Sequence, residues 1–245
     1  LPYNQDYLIS EIQKVNANIG IVLVSGNAVS MPWITKVKAV MQTWYLGSEA
    51  GHAIADIISG DINPSGKLPF SFPVKLTDNA AHFYGEISYP GDGKTQHYKD
   101  DIFVGYRWHD TQNIKPLFSF GHGLSYTSFK LSDIRTNKKT YAVTDSINIT
   151  FKLTNIGNMD GSEVVQIYIG KLESKVTRAL KELKGFKKIF LKKSEHSIAN
   201  IPINVASLSF YDASISNWNL EKGNYTIYIG NASNNISKKI SITIE

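Results

Sequence analysis

The chain has no cysteine, which removes thiolate nucleophiles, thiolate metal ligands and disulfides, so carboxylates are the first residues to weigh for chemistry. Two carboxyl groups about 5 to 5.5 Å apart can open a glycosidic bond with retention, one attacking carbon and the other protonating the leaving oxygen. Three groupings are close enough in sequence to test. Glu49 and Asp56 would sit about two helical turns apart, too far for that work, with Asp56 better placed as a cap or facing solvent. Glu86 and Asp92 lie in an aromatic, turn-rich stretch where a carboxylate could be held beside a cleft. Asp100 and Asp101 are neighbours whose side chains point to opposite faces of an extended segment, and they read as a turn. None qualifies as an acid/base pair, so no catalytic residue is expected in this chain.

Sugar rings stack on the faces of Trp and Tyr, and the chain has four Trp and 13 Tyr. Trp33 and Trp44 follow or end predicted sheet strands, the edge at which α/β folds bind ligands. Trp44 is the candidate substrate-binding residue, as one wall of a sugar cleft, although packing in a core or domain interface is the competing role. Tyr84, Tyr89, Tyr98, Tyr106 and Trp108 are expected to cement domains together. His52, His97, His109 and His122 show no convergent ligand spacing, so no metal site is expected.

Positioning these residues requires two kinds of architecture. Tyr7, Leu8, Ile12 and Val15 recur at helical spacing from a cap at Asn4, leaving Asp6 and Glu11 on the wet side. Ile19 to Val24 is an apolar, β-branched run of the kind buried on both faces of a parallel sheet. Ala39 to Tyr45 repeats it, and a helix over about 48–59 turns Ala50, Ala53, Ile54, Ile57 and Ile58 inward. Helix, strand, helix, strand, helix is α/β architecture. Lys67 to Phe72 reads as an edge strand, a position that Pro69 and Pro73 both fit, and 75–123 as a long connector.

Beyond Tyr126 the apolar period changes to two. Ile147, Ile149, Phe151 and Leu153 alternate with polar residues, as do Val165, Ile167 and Ile169, then Tyr225, Ile227 and Ile229, then Ile240, Ile242 and Ile244. Turn signals lie at 155–161 and 221–224. With further strands near 128–134, 181–191 and 197–203, about seven strands emerge, the count of a fibronectin-type sandwich. The expected fold class is α/β followed by all-β. The partial α/β sandwich domain spans 1–74, the aromatic connector 75–123 and the seven-stranded fibronectin type III-like sandwich 124–245.

At 245 residues two modest domains are expected, and 42% hydrophobic with 19% charged residues excludes a disordered class. No apolar run approaches the roughly 20 residues that cross a bilayer, and no leader pattern is visible at Leu1. The net charge of +5 comes from scattered Lys. Its densest run, Lys181 to Lys193, reads as a solvated strand face, so neither nucleic acid nor membrane is an expected partner. Asn148, Asn224, Asn231 and Asn235 match glycosylation acceptors, a pattern that arises readily in an Asn-rich chain.

Three segments carry information beyond fold class: 44–70, containing Gly47-Ser-Glu-Ala-Gly51 and Asn63-Pro-Ser-Gly66; 101–107, Asp-Ile-Phe-Val-Gly-Tyr-Arg; and 116–129, containing Phe120-Gly-His-Gly-Leu-Ser-Tyr126. Locally, Gly51 is expected to let its helix approach the sheet, Gly66 to take a positive φ, and the two glycines of Gly121-His-Gly123 to permit a sharp change of direction. In order and spacing the segments resemble the C-terminal half of glycoside hydrolase family 3, particularly its β-glucosidases. The resemblance implies retaining hydrolysis of terminal β-D-glucosyl residues without a cofactor. It further implies an Asp nucleophile on an N-terminal β/α barrel and a Glu acid/base, both upstream of Leu1, so that this chain alone is inactive. Its partners would be that barrel, on the same or a separate chain, and β-glucosides or oligosaccharides. A β-xyloside or β-N-acetylglucosaminide specificity, and a stand-alone carbohydrate-binding or scaffolding module, are the alternatives.

Overall fold

The structure, a computed structural model, describes residues 1–245. The first part is mixed helix and sheet. Helix α1 (Gln5–Val15) leads to strand β1 (Gly20–Leu23), which pairs in parallel with β2 (Ala39–Gln42), Gly20 opposite Ala39 and Leu23 opposite Gln42. Between the strands stands only a single 3-10 turn, Ile34–Lys36, where a middle helix was expected. Helix α2 (Ala50–Ser59) follows a 3-10 turn at Gly47–Glu49 and stops at Gly60, which takes φ +84°.

The burial of these elements departs from the amphipathic reading. Ile9 is the buried residue of α1, while Tyr7, Leu8, Ile12 and Val15 are exposed. Asn4 adopts a left-handed conformation with no side-chain cap, and Asp6, expected in water, accepts a 2.6 Å bond from Trp33 Nε1. In β1 only Leu23 is buried; Val22 is exposed, as is Val24 beyond its end. A strand is buried on both faces only where layers cover both, and here one face has no cover. Helix α2 buries no residue fully, Ala53 and Ile58 among the exposed ones. The core of this part is Ile9, Leu23, Met31, Trp33 and Phe72, five residues against twenty in the second part.

Lys67–Phe72 does not form a strand. Leu68 N donates to His122 O and Gly121 N to Leu68 O, and Phe72 bridges Phe118, but Pro69 and Pro73 have no N–H and interrupt the ladder. The connector holds two short helices, α3 (Ala80–Phe83) and α4 (Tyr106–Thr111).

The second part is a β-sandwich. The long strands are β3 (Phe129–Thr136), β5 (Ser146–Asn155), β6 (Gly161–Gly170), β7 (Glu182–Leu191), β8 (His196–Asn204), β11 (Gly223–Ala232) and β12 (Asn235–Ile244). Short strands β4 (Thr140–Tyr141), β9 (Phe210–Asp212) and β10 (Asn217–Asn219) accompany them. One sheet runs β4-β12-β11-β6-β7, the other β3-β5-β8, and β9-β10 form a separate hairpin. Alternation dictates the inner faces: Ile147, Ile149 and Phe151 stand opposite Ile203, Ile201 and Ala199, while Ile227 and Ile229 stand opposite Ile169 and Ile167. All join one core. The 155–161 turn is held by fully buried Asn155, whose Oδ1 accepts from Thr127 Oγ1 at 2.6 Å and whose Nδ2 donates to Met159 O at 2.8 Å.

Candidate functional site

Trp44 sits just past the end of β2 with φ +58°, a conformation bulky residues rarely adopt. Its half-buried ring meets the ring of Phe70 edge-on at 5.3 Å and that of Phe72 at 6.5 Å, and Phe70 stacks on Phe72 at 5.7 Å. The result is an aromatic corner at the strand end with part of the indole left open. Trp33, the other strand-following tryptophan, is 2% exposed and belongs to the core.

The candidate carboxylates are not brought together. Glu49 is exposed and paired with His52 Nδ1 at 2.6 Å. Asp92 is exposed and accepts from the backbone N–H of Thr95 at 2.6 Å and of Lys94 at 2.8 Å; those bonds hold its carboxyl below the usual range, the mark of a turn former. Glu86 lies exposed. At Asp100 and Asp101, Phe103 N donates to Asp100 O and Asp101 takes φ +50°, as a turn requires. An open groove of about 260 Å³ between the two parts is bordered by Asp61 and Asp160. Asp61 accepts from Ser59 Oγ, Asp160 accepts from Lys193 N, and neither is buried.

Four buried or partly buried carboxylates each have a cation, while Asp100, 8% exposed, has none. Asp110 in α4 accepts from Lys181 Nζ at 2.5 Å, and Glu163 pairs with Lys67 at 2.7 Å. Glu182 lies between Arg107 at 3.2 Å and Lys184 at 3.1 Å, and Glu221 faces Arg178 at 3.6 Å. Burial pushes the Asp110 carboxyl up against the pull of Lys181. At Glu182 burial raises the carboxyl, but Lys184 and Arg107 outweigh it and hold it below its ordinary value. A carboxylate spent on a cation is not free to attack carbon or deliver a proton.

Three of these pairs, Asp110 with Lys181, Glu163 with Lys67 and Glu182 with Arg107, instead fasten the two parts together. From Asp110 and Lys181 the contacts pass to the ring of Tyr168, which Lys181 Nζ approaches at 5.9 Å and whose hydroxyl donates a short bond to Gln166 Oε1. Gln166 Nε2 donates to Asn231 O at 2.7 Å and Gly121 O at 3.4 Å. Asn231 Nδ2 reaches Glu163 at 3.0 Å, and Lys67 beside it donates to Gly123 O at 2.7 Å. Tyr106 supplies the apolar half, 4.9 Å from Phe120 and 5.6 Å from Tyr168. Asn63 clamps the far side, accepting from Ser125 Oγ and Tyr126 N and donating to Asp160 O. His122 stacks on Phe118 at 5.2 Å; burial, then Lys67, push its imidazole down.

Several local expectations change here. A β-carbon on Gly51 would meet nothing within 4 Å, so that glycine does not serve a close approach, and Gly66 does not take a positive φ. Gly121 and Gly123 are the spatially required pair: a β-carbon would overlap the Gln166 amide at the first and Gly66 O at the second. Lys181, read as solvated, is 6% exposed because Asp110 lies against it from 71 residues earlier. Among the connector aromatics, Tyr106 joins the two parts. Trp108 packs on Phe83 and Tyr84 within the connector, and Tyr98 is exposed.

A small α/β layer is thus bolted through ion pairs to a β-sandwich. The profile of the glycosyl hydrolase family 3 C-terminal domain matches residues 1–126, and that of the fibronectin type III-like domain matches 163–233. The chain belongs to glycosyl hydrolase family 3. It is 48% identical to beta-glucosidase BoGH3A of Bacteroides ovatus over 96% of this chain and 32% of that protein. With thermostable beta-glucosidase B of Acetivibrio thermocellus it shares 42% identity over 100% of this chain and 32% of that one. The crystal structure of DesR, a beta-glucosidase from Streptomyces venezuelae, superposes with a TM-score of 0.94 at 38% identity, covering 100% of this chain and 31% of that chain. The chain thus spans about a third of the length of the curated relatives it matches, in which this region is part of a longer polypeptide.

Proposed function

We propose that this chain is the C-terminal support of a retaining β-glucosidase that removes terminal non-reducing β-D-glucosyl residues from glycosides or oligosaccharides. The observation that carries the reading is the absence of a free carboxylate pair in a chain that aligns almost end to end with a third of several β-glucosidases. On this reading an N-terminal β/α barrel brings the aspartate nucleophile, and the acid/base glutamate precedes Leu1. The exposed side chains of Tyr7, Leu8, Val15, Val22 and Val24 beside a five-residue core are the surface that the rest of the enzyme covers. Residues 1–74 complete the α/β domain, 75–123 connect, and 124–245 form the sandwich that holds the connector from behind.

Trp44 is proposed as a cleft wall. Its place beyond a parallel strand and its partly open ring favour this, and Phe70 sets its angle. The experiment is an aryl β-glucoside assay of this chain by itself and joined to a family barrel. Turnover is expected only with the barrel, and robust hydrolysis by the chain by itself overturns the reading. Profiling the joined enzyme with β-xylosides and β-N-acetylglucosaminides tests the sugar.

A further inference from the structure

The β9–β10 hairpin belongs to neither sheet of the sandwich, yet it carries the most exposed tryptophan of the chain. Trp218 and Tyr211 stand directly opposite each other in the antiparallel register, which puts both side chains on one face. They are 68% and 56% exposed, and their rings meet edge-on at 5.8 Å and 78°. Trp33 and Trp108 are 2% and 1% exposed, so leaving an indole in water is not the habit of this fold.

We propose that this hairpin is a saccharide-binding platform, on which Trp218 and Tyr211 receive the pyranose rings of a neutral β-linked glucan chain. Two observations favour that occupant. First, the platform is pre-organised. Asp212 Oδ1 accepts from Ser214 N at 3.0 Å and Ser214 Oγ at 2.6 Å, while Phe210 at the root lies under the Arg178 guanidinium at 5.9 Å. Rigid rings lose little freedom when a ligand lands on them. Second, the surroundings are polar and uncharged. Ser214, Ser216, Asn217 and Asn219 are the polar residues of the hairpin, Ala213 and Ile215 its two aliphatic ones, and the one carboxylate, Asp212, is occupied by the turn. A protein interface core surrounds its aromatic anchors with apolar area, and an ionic ligand would need a free charge. A pyranose offers an apolar C–H face edged by hydroxyls, which suits aromatic rings in an amide and hydroxyl frame. The identity of the ligand rests on the glucoside chemistry proposed above.

The test is a titration of the 245-residue chain with laminarihexaose and cellohexaose, read by tryptophan fluorescence and by affinity electrophoresis in a β-glucan gel. Saccharide is expected to shift the emission to the blue and retard the chain. Trp218→Ala should weaken binding by about tenfold or more, as loss of a central aromatic anchor does, and Tyr211→Ala by less. Circular dichroism confirms folding, and Trp218→Phe should restore part of the affinity. No response at millimolar saccharide, or equal affinity in Trp218→Ala, overturns the proposal. So does a wild-type dimer in light scattering that Trp218→Ala disperses, since the hairpin would then be a self-association surface. Hydrolysis is not read in this experiment, so its failure is separable from failure of the glucosidase reading.

Discussion

The amide of Gln166 occupies the space that a β-carbon on Gly121 would fill, so a strand of the sandwich and the loop entering it are fitted to a glycine. Gly121 also takes φ +80°, its N–H donates to Leu68 O, and its carbonyl accepts from Gln166. Backbone conformation, close approach and hydrogen bonding therefore make the same demand at one residue.

Gly121→Ala should destabilise the chain by about 2–4 kcal/mol, combining the cost of a positive φ with displacement of a buried amide. Gly47 provides the control. It has φ +73° with open space around it, so Gly47→Ala should cost only about 1 kcal/mol. Denaturant midpoints of the two variants check this; equal losses would show that the fit to Gln166 contributes nothing.

Lys181 and Asp110 are 7% and 17% exposed at their side chains. Lys181→Met leaves the Asp110 charge buried without its partner and should cost about 3–5 kcal/mol. Adding Asp110→Leu should recover most of that loss, because both desolvation costs then disappear together. A double-mutant cycle in urea measures the coupling, and strictly additive losses would refute the pairing.

Acid should loosen the joint through Glu182. Its folded carboxyl lies below the ordinary 4.5, so the stabilisation is fully present above the unfolded value and is lost as pH falls through the folded one. Asp110 has the opposite sign: its raised carboxyl is unfavourable when charged, and protonation at low pH relieves that strain. Glu182→Gln should therefore flatten the fall in stability below about pH 4.5, while Asp110→Asn should steepen it. Unfolding midpoints of the two variants between neutral and acid pH decide the signs.

Trp44→Ala should open the aromatic corner and cost about 2–4 kcal/mol of stability in this chain, since Phe70 and Phe72 lose a ring neighbour. In the barrel-joined enzyme a cleft wall predicts a larger change in KM than in kcat for aryl β-glucosides. If kinetics are unaltered while stability falls, Trp44 is packing only.

The order of elements and the change from helical to twofold periodicity near residue 126 were legible because side-chain alternation is a local property. Ile147, Ile149, Phe151 and Leu153 announce an inner face whatever lies across from it, and all are buried in the sandwich core. The turn at Asn155 and the change of direction at Gly121-His-Gly123 could be read for the same reason. The long ordered motifs carry the family resemblance in the sequence itself.

What the tertiary structure decided is everything that depends on a partner far along the chain. Tyr7 and Val15 have a buried-face pattern and are exposed, because periodicity names a face without naming what covers it. Lys181 reads as solvated and is buried, because its cause lies 71 residues away in α4. The pairing of Asp110, Glu163, Glu182 and Glu221, and with it the proposal that this region supports chemistry done elsewhere, could be seen only once folding had set cation beside anion. Apolar spacing is written along the chain, whereas charge pairing and cover are settled in space.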